Sequence, residues 1–194
     1  NLGRKVKNER SKRWHTCSLC EQHHHGFVLC ALGWACWKTY LGRPETDRFR
    51  LSAMRQLGNG LPATEALPVR ESELSILRRL GASEENMLVA QNNLALTYSL
   101  LGRVHEALSL RQDVYSRYLR LNGEEHKDSL HEANNCAMSL NRLQRFKEAK
   151  SLLRKTVPVA HRVLGADNRL TLTLRSNYAT ALYKADGATL DDLR

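Results

Sequence analysis

The sequence predicts an all-α chain, a solenoid of about eight helices, and two observations carry that reading. The stretch Asn92-Asn93-Leu94-Ala95-Leu96-Thr97-Tyr98 recurs forty-two residues later as Asn134-Asn135-Cys136-Ala137-Met138-Ser139-Leu140, and after the same interval as Ser176-Asn177-Tyr178-Ala179-Thr180-Ala181-Leu182. Gly81, Gly123 and Gly165 keep that spacing too, each closing a helical stretch as a C-terminal glycine does. Self-similarity at such a period means units that cannot bury their apolar faces alone and do so by stacking.

The same residues carry a family resemblance. Leu94, Ala95 and Tyr98, a turn glycine at Gly102 and Glu106-Ala107 opening the next helix resemble the tetratricopeptide pattern, which implies an antiparallel helix pair per repeat in a right-handed superhelical stack. The usual tetratricopeptide period is about 34 residues. The longer period here, with its Asn-Asn-Leu-Ala core and Leu-Gly end, is similar to the repeat of kinesin light chains over roughly residues 43–194.

Composition narrows the class. The chain has 194 residues, 42% hydrophobic and 26% charged, which suits a globular chain rather than a disordered one. Its formal charge of +10 favours acidic partners. It starts at Asn1 rather than Met and ends at Arg194 as a further helix begins, so it reads as a piece open at both ends.

Residues 1–25 read as a basic, mostly irregular segment. Arg4, Lys5, Lys7, Arg10, Lys12 and Arg13 face a single Glu9, with no nucleic-acid fold or interleaved aromatic platform to turn that charge into nucleic-acid binding. Cys17 and Cys20 with His15, His23, His24 and His25 offer half of a four-ligand zinc site. Trp14 ahead of that Cys-x-x-Cys is similar to the closing half of a RING-variant finger. A metal-free remnant, a zinc site completed by sequence outside this chain, and a redox dithiol are the three readings. No cofactor other than that zinc is expected.

Residues 26–42 form an apolar run, too short to span a bilayer, which takes about 20 apolar residues. It reads as a packing or capping helix over about 27–41; membrane-surface binding is the minor alternative, because the run is apolar on nearly all sides instead of having a clean charged face. Residues 43–81 follow as a degenerate repeat, with Pro44 opening a helix over 45–56, a loop at Gly58-Asn59-Gly60-Leu61-Pro62, and a second helix over 64–80 with Pro68 in its first turn. Full repeats occupy 82–123 (helices near 84–101 and 105–121) and 124–165 (127–143 and 146–163), and 166–194 is a truncated one with a helix near 168–184. Pro158 falls inside a helix, at a cost of roughly 3 kcal/mol, and predicts a bend. Five cysteines without regular spacing argue against a disulfide framework and for a reducing, cytoplasmic compartment. Cys136, at the position of Leu94, reads as a core thiol.

At about 100° per residue, Gln91, Leu94, Ala95 and Tyr98 form the packing arc. Val89, Asn92, Leu96, Ser99 and Leu100 lie opposite, followed by His131, Asn134, Met138, Asn141 and Arg142, then Thr173, Ser176, Thr180, Tyr183 and Lys184. In tetratricopeptide arrays that side lines the concave groove, and Asn93, Asn135 and Asn177 stand at its edge. The resemblance implies that these asparagines form a ladder along a bound peptide, since a carboxamide can both donate to and accept from a backbone. The alternative is that each amide only fixes repeat packing. His131, Arg142 and Lys184 are expected to make the groove positive, for an extended acidic segment.

No Gly-rich phosphate loop, His-Glu-x-x-His or serine elbow is present, so no enzyme is expected. The reading is a protein interaction scaffold. The alternative is the substrate-binding part of a RING-variant-type ubiquitin ligase whose finger is truncated here. A kinesin-like motor or ubiquitin-conjugating machinery would be a partner by resemblance alone.

Overall fold

The computed structural model describes Thr16 and residues 19–186. Among them are eight helices: α1 Gly26–Tyr40, α2 Arg48–Gly60, α3 Ala63–Arg79, α4 Glu84–Leu100, α5 Val104–Asn122, α6 Lys127–Arg142, α7 Phe146–Leu164 and α8 Arg169–Asp186. The described residues are thus all-α, with an isolated bridge between Thr16 and His23. The described residues fall into two compact units, one up to Thr97 and one from Tyr98.

In the first unit α1 lies tightly on α2 because two positions lack a side chain. A Cβ at Gly33 would stand 3.2 Å from the Gln56 carbonyl oxygen, and one at Gly60 only 2.7 Å from that of Leu29. Such backbone approach is open only to glycine. Cys36, Ala53, Met54 and Leu57 are buried among the core residues. Burial pushes the Cys36 thiol up to about 11, so it stays protonated and apolar in character.

The degenerate repeat departs from expectation at three points. Its first helix does not open behind Pro44. Residues 44–47 make a turn, and Asp47 caps α2, its carboxylate accepting from the Phe49 and Arg50 N–H groups at 2.7 and 3.2 Å. A cap that satisfies two otherwise orphaned donors outweighs the preset φ of a proline. Gly58, Asn59 and Gly60, expected as loop, continue α2. Pro68 is the sixth residue of α3, beyond the first turn, so the Thr64 carbonyl receives no helical N–H from it.

The second unit is regular. Leu130, Ala137, Leu153, Ala160, Leu170 and Leu174 form one core cluster, and Leu108, Leu140, Ala149 and Ala181 form another. Cys136 is 1% exposed and burial raises its thiol to about 12, a core thiol as expected. The turn after α4 places Gly102 at φ +76°, with Arg103 N–H donating to the Tyr98 carbonyl at 2.9 Å. Forty-two residues on, the same bond runs from Arg145 to Leu140 at 2.9 Å, with Gln144 at φ +58° in the glycine's place. Arg103 and Arg145 then clamp Glu106 and Glu148 one turn ahead. α7 runs unbroken from Phe146 to Leu164 with Pro158 inside it. Pro158 and Arg154 are exposed, so water can serve the carbonyl that the proline leaves without its helical partner.

Candidate peptide-binding face

The site is built on the sides of α6 and α8 turned away from the core. His126 caps α6, its Nδ1 accepting from the Asp128 N–H at 3.3 Å. Leu130, Ala133, Ala137 and Leu140 are buried, which fixes the rotation of α6 and leaves His131, Met138 and Arg142 exposed. On α8, burial of Leu170, Leu174 and Ala181 leaves Ser176, Thr180, Tyr183 and Lys184 exposed, with Thr173 half-buried.

The amides are largely occupied between the helices. Asn177 Nδ2 donates to Asn134 Oδ1 at 2.9 Å, and Asn141 Nδ2 donates to the Asn177 carbonyl at 3.1 Å. Asn134, expected on the open side, is 6% exposed, and its own Nδ2 points at Met138 Sδ, 3.6 Å away. Asn135 Nδ2 donates to Glu132 Oε1 at 3.2 Å. These bonds tie the middle of α8 to α6, at its middle through Asn134 and near its C-terminal end through Asn141. Ser99, also expected on the open side, is buried and is gripped by Arg142, whose Nη1 donates to its carbonyl at 3.1 Å and its hydroxyl at 2.6 Å. In the first unit Asn92 and Asn93 are half-buried and Leu96 is exposed. The Thr97 hydroxyl donates to the Asn93 carbonyl at 3.1 Å.

What stays open is therefore a mixed surface. Tyr183 is 61% exposed and Met138 42%, and the Lys184 ammonium lies 5.4 Å from the Tyr183 ring centre, a cation–π geometry. From Arg169 to Ala185 α8 contains no carboxylate, while Arg169, Arg175 and Lys184 are exposed. His131 does not add charge as expected: burial, then the neighbouring Lys127, hold its imidazole below its ordinary pKa, so it is neutral at neutral pH.

Cys20 is an exposed free thiol, whereas its proposed companion Cys17, like Trp14, His15 and the basic segment 1–15, lies outside the described residues. No group of three or more metal-binding side chains occurs among the described residues. Cys20, Cys30, Cys36 and Cys136 are all free. No described helix is long and apolar enough to cross a membrane.

Two features had no signal in the sequence. Buried Arg111 donates to the Ser139 hydroxyl at 2.6 Å and to the Asn135 carbonyl at 3.0 Å, behind the open face. An open cleft of about 540 Å³ is lined by residues of α5, α6 and α7, Tyr115, Cys136, Lys155 and Thr156 among them.

Residues 87–128 and 133–169 match the tetratricopeptide repeat family. Among solved structures, the nearly identical TPR-like repeats of a kinesin light chain-like protein from Podosopora anserina are 24% identical, over 82% of this chain and 76% of that one, with a TM-score of 0.66; a singly substituted form of the same protein gives 0.67. BtubC (BKLC) from P. vanneervenii is 14% identical over 85% of this chain and 77% of that one, with a TM-score of 0.61. No curated protein matches the chain. At these identities the structures speak for the fold: residues 87–128 and 133–169 are tetratricopeptide repeats by the sequence match, and the chain has the fold of kinesin light chain-like repeats.

Proposed function

We propose that this chain is a protein interaction scaffold that holds an extended acidic peptide segment on the open face of α6 and α8. The observation that carries the reading is the composition of that face: exposed Met138 and Tyr183 supply apolar contact, Arg142 and Lys184 flank them, and α8 carries no carboxylate through Ala185. An aromatic anchor beside unopposed cations suits a peptide with acidic residues around an apolar one. Asn134, Asn141 and Asn177 then act by fixing the two helices against each other, and Asn135 by holding Glu132. This departs from a ladder of amides along the ligand. No step of chemistry is required of the chain.

The test is a fluorescence titration with a labelled peptide of alternating Asp/Glu and Leu, beside its Lys-substituted counterpart. Binding of the acidic peptide is expected to fall roughly tenfold with Tyr183→Ala and by a similar factor with Lys184→Glu. Both side chains are exposed, so folding is retained, as circular dichroism checks. Equal binding by the wild type and both variants would overturn the proposal.

A further inference from the structure

The first unit carries a second surface, of different character. α1 is apolar almost all round. Its packed side, with Gly33 and Cys36 buried, is committed to α2 by the close approaches at Gly33 and Gly60, so the other side faces outward. That outer strip holds Phe27 (86% exposed), Val28, Trp34 (42%) and Leu41, with Ala31 and Ala35 between them and Lys38 near its centre. At 100° per residue these positions span about 140° of the helix. A contiguous exposed apolar strip of this kind marks an interaction surface.

The charges around it select the occupant. From Gln22 to Pro44 there is no Asp or Glu. Beyond α1, Arg48 is exposed, and the first carboxylates after the helix are engaged, Asp47 with Arg43 at 3.2 Å and Glu45 with Arg79; before the helix the first is Glu21. A second copy docked on the strip would bring like charges together, in a chain of net charge +10. We propose that the outer face of α1 seats on an anionic lipid bilayer, with Phe27, Val28, Trp34 and Leu41 entering the headgroup boundary and Lys38 and Arg48 against lipid phosphates and carboxylates. Aromatic rings favour that depth, and juxtaposed cations strengthen the attachment. At 15 residues α1 is too short to span, so the attachment is peripheral. The proposal stands apart from the function of the α6 and α8 face and does not depend on it.

The experiment is co-sedimentation of the whole chain with vesicles of pure phosphatidylcholine and of phosphatidylcholine with about 30% phosphatidylserine, at low and high salt, with Phe27→Ser, Trp34→Ser and Lys38→Glu as variants. Their side chains point outward, and circular dichroism confirms that each variant keeps its helix content. The chain is expected to partition onto the anionic vesicles and not the neutral ones, with roughly tenfold loss for each variant and for high salt. No partition onto anionic vesicles, or partition unchanged by all three substitutions, would overturn the proposal. So would sedimentation velocity showing a dimer that Trp34→Ser dissolves, since a second copy would then cover the strip.

Discussion

Arg70 and Arg111 stand at the same place in successive repeats, five residues after the Glu-Ala pairs Glu65-Ala66 and Glu106-Ala107, and both are buried, yet they are satisfied differently. In the first unit Arg70 Nη1 bonds Glu73 at 3.3 Å, and the other oxygen of that carboxylate takes Arg55 Nε at 2.8 Å. In the second unit Arg111 takes neutral acceptors, Ser139 and the Asn135 carbonyl, while the nearby carboxyl of Glu132 is held by an amide. Burial of Glu132 then dominates, and its pKa rises to about 7, the bond from Asn135 and the Arg111 charge offsetting only part of the desolvation. A directly bonded guanidinium keeps a buried carboxylate paired. Where an amide and a guanidinium charge together offset only part of the desolvation, a buried carboxyl is ready to take up a proton near neutrality. In the next repeat the position is Leu153, 0% exposed, so the architecture does not itself require a cation there.

The largest expected effect breaks the ion-paired site. Arg70→Leu leaves Glu73 fully buried with Arg55 as its remaining cation, and should cost about 3–5 kcal/mol in urea unfolding. Arg111→Leu copies the side chain of the following repeat and orphans one hydroxyl and one carbonyl, so it should cost less, about 1–3 kcal/mol. Equal losses would erase the distinction drawn between the two sites.

Next comes pH. The raised pKa of Glu132 means that the folded state holds a proton that the unfolded chain releases near the ordinary carboxylate value. Its contribution to stability is therefore complete at acid pH, declines as pH rises toward about 7, and stays lost above that. The size is on the order of 3 kcal/mol. Glu132→Gln imitates the protonated group and keeps the bond from Asn135, so at about pH 8 it should be more stable than the wild type by up to that amount, the gap closing toward about pH 5. Urea midpoints at the two pH values read the difference directly, and a gap that does not change with pH would refute the assignment.

The smallest effect concerns the turns. Gln144 occupies a left-handed position that its counterpart Gly102 occupies freely, and a side chain there costs about 1 kcal/mol. Gln144→Gly should raise stability by about 0.5–1 kcal/mol, seen as a higher thermal midpoint. A lower midpoint would show that the glutamine side chain contributes more than its backbone strain costs.

These contrasts also mark what a sequence can disclose. The forty-two-residue period placed the regular helices to within a residue or two, because apolar positions and turn glycines repeat with it. It failed at the degenerate repeat, where one cap, Asp47, resets the helix start, and where Gly58 packs on the Arg70 guanidinium and Gly60 on the α1 backbone, drawing both into the helix. The open face was legible at Met138, Thr180, Tyr183 and Lys184. Asn134 and Ser99 were misplaced because helical phase alone does not say which polar group a neighbouring helix will cover. Arg111 and Glu132 carried no mark at all, since buried charged groups use the same letters as solvated ones. The shift of His131 was hidden for a similar reason, as it depends on burial and on Lys127 one turn away.

The central claim is that the face of α6 and α8 receives an acidic segment. Backbone and side-chain chemical shifts of the labelled chain, followed while an unlabelled acidic peptide is added, test it most directly. Saturable changes centred on Met138, Thr180, Tyr183 and Lys184, with an affinity that weakens as salt is raised, are the predicted result. Changes confined to the cleft lined by α5, α6 and α7, or none at all, would contradict it.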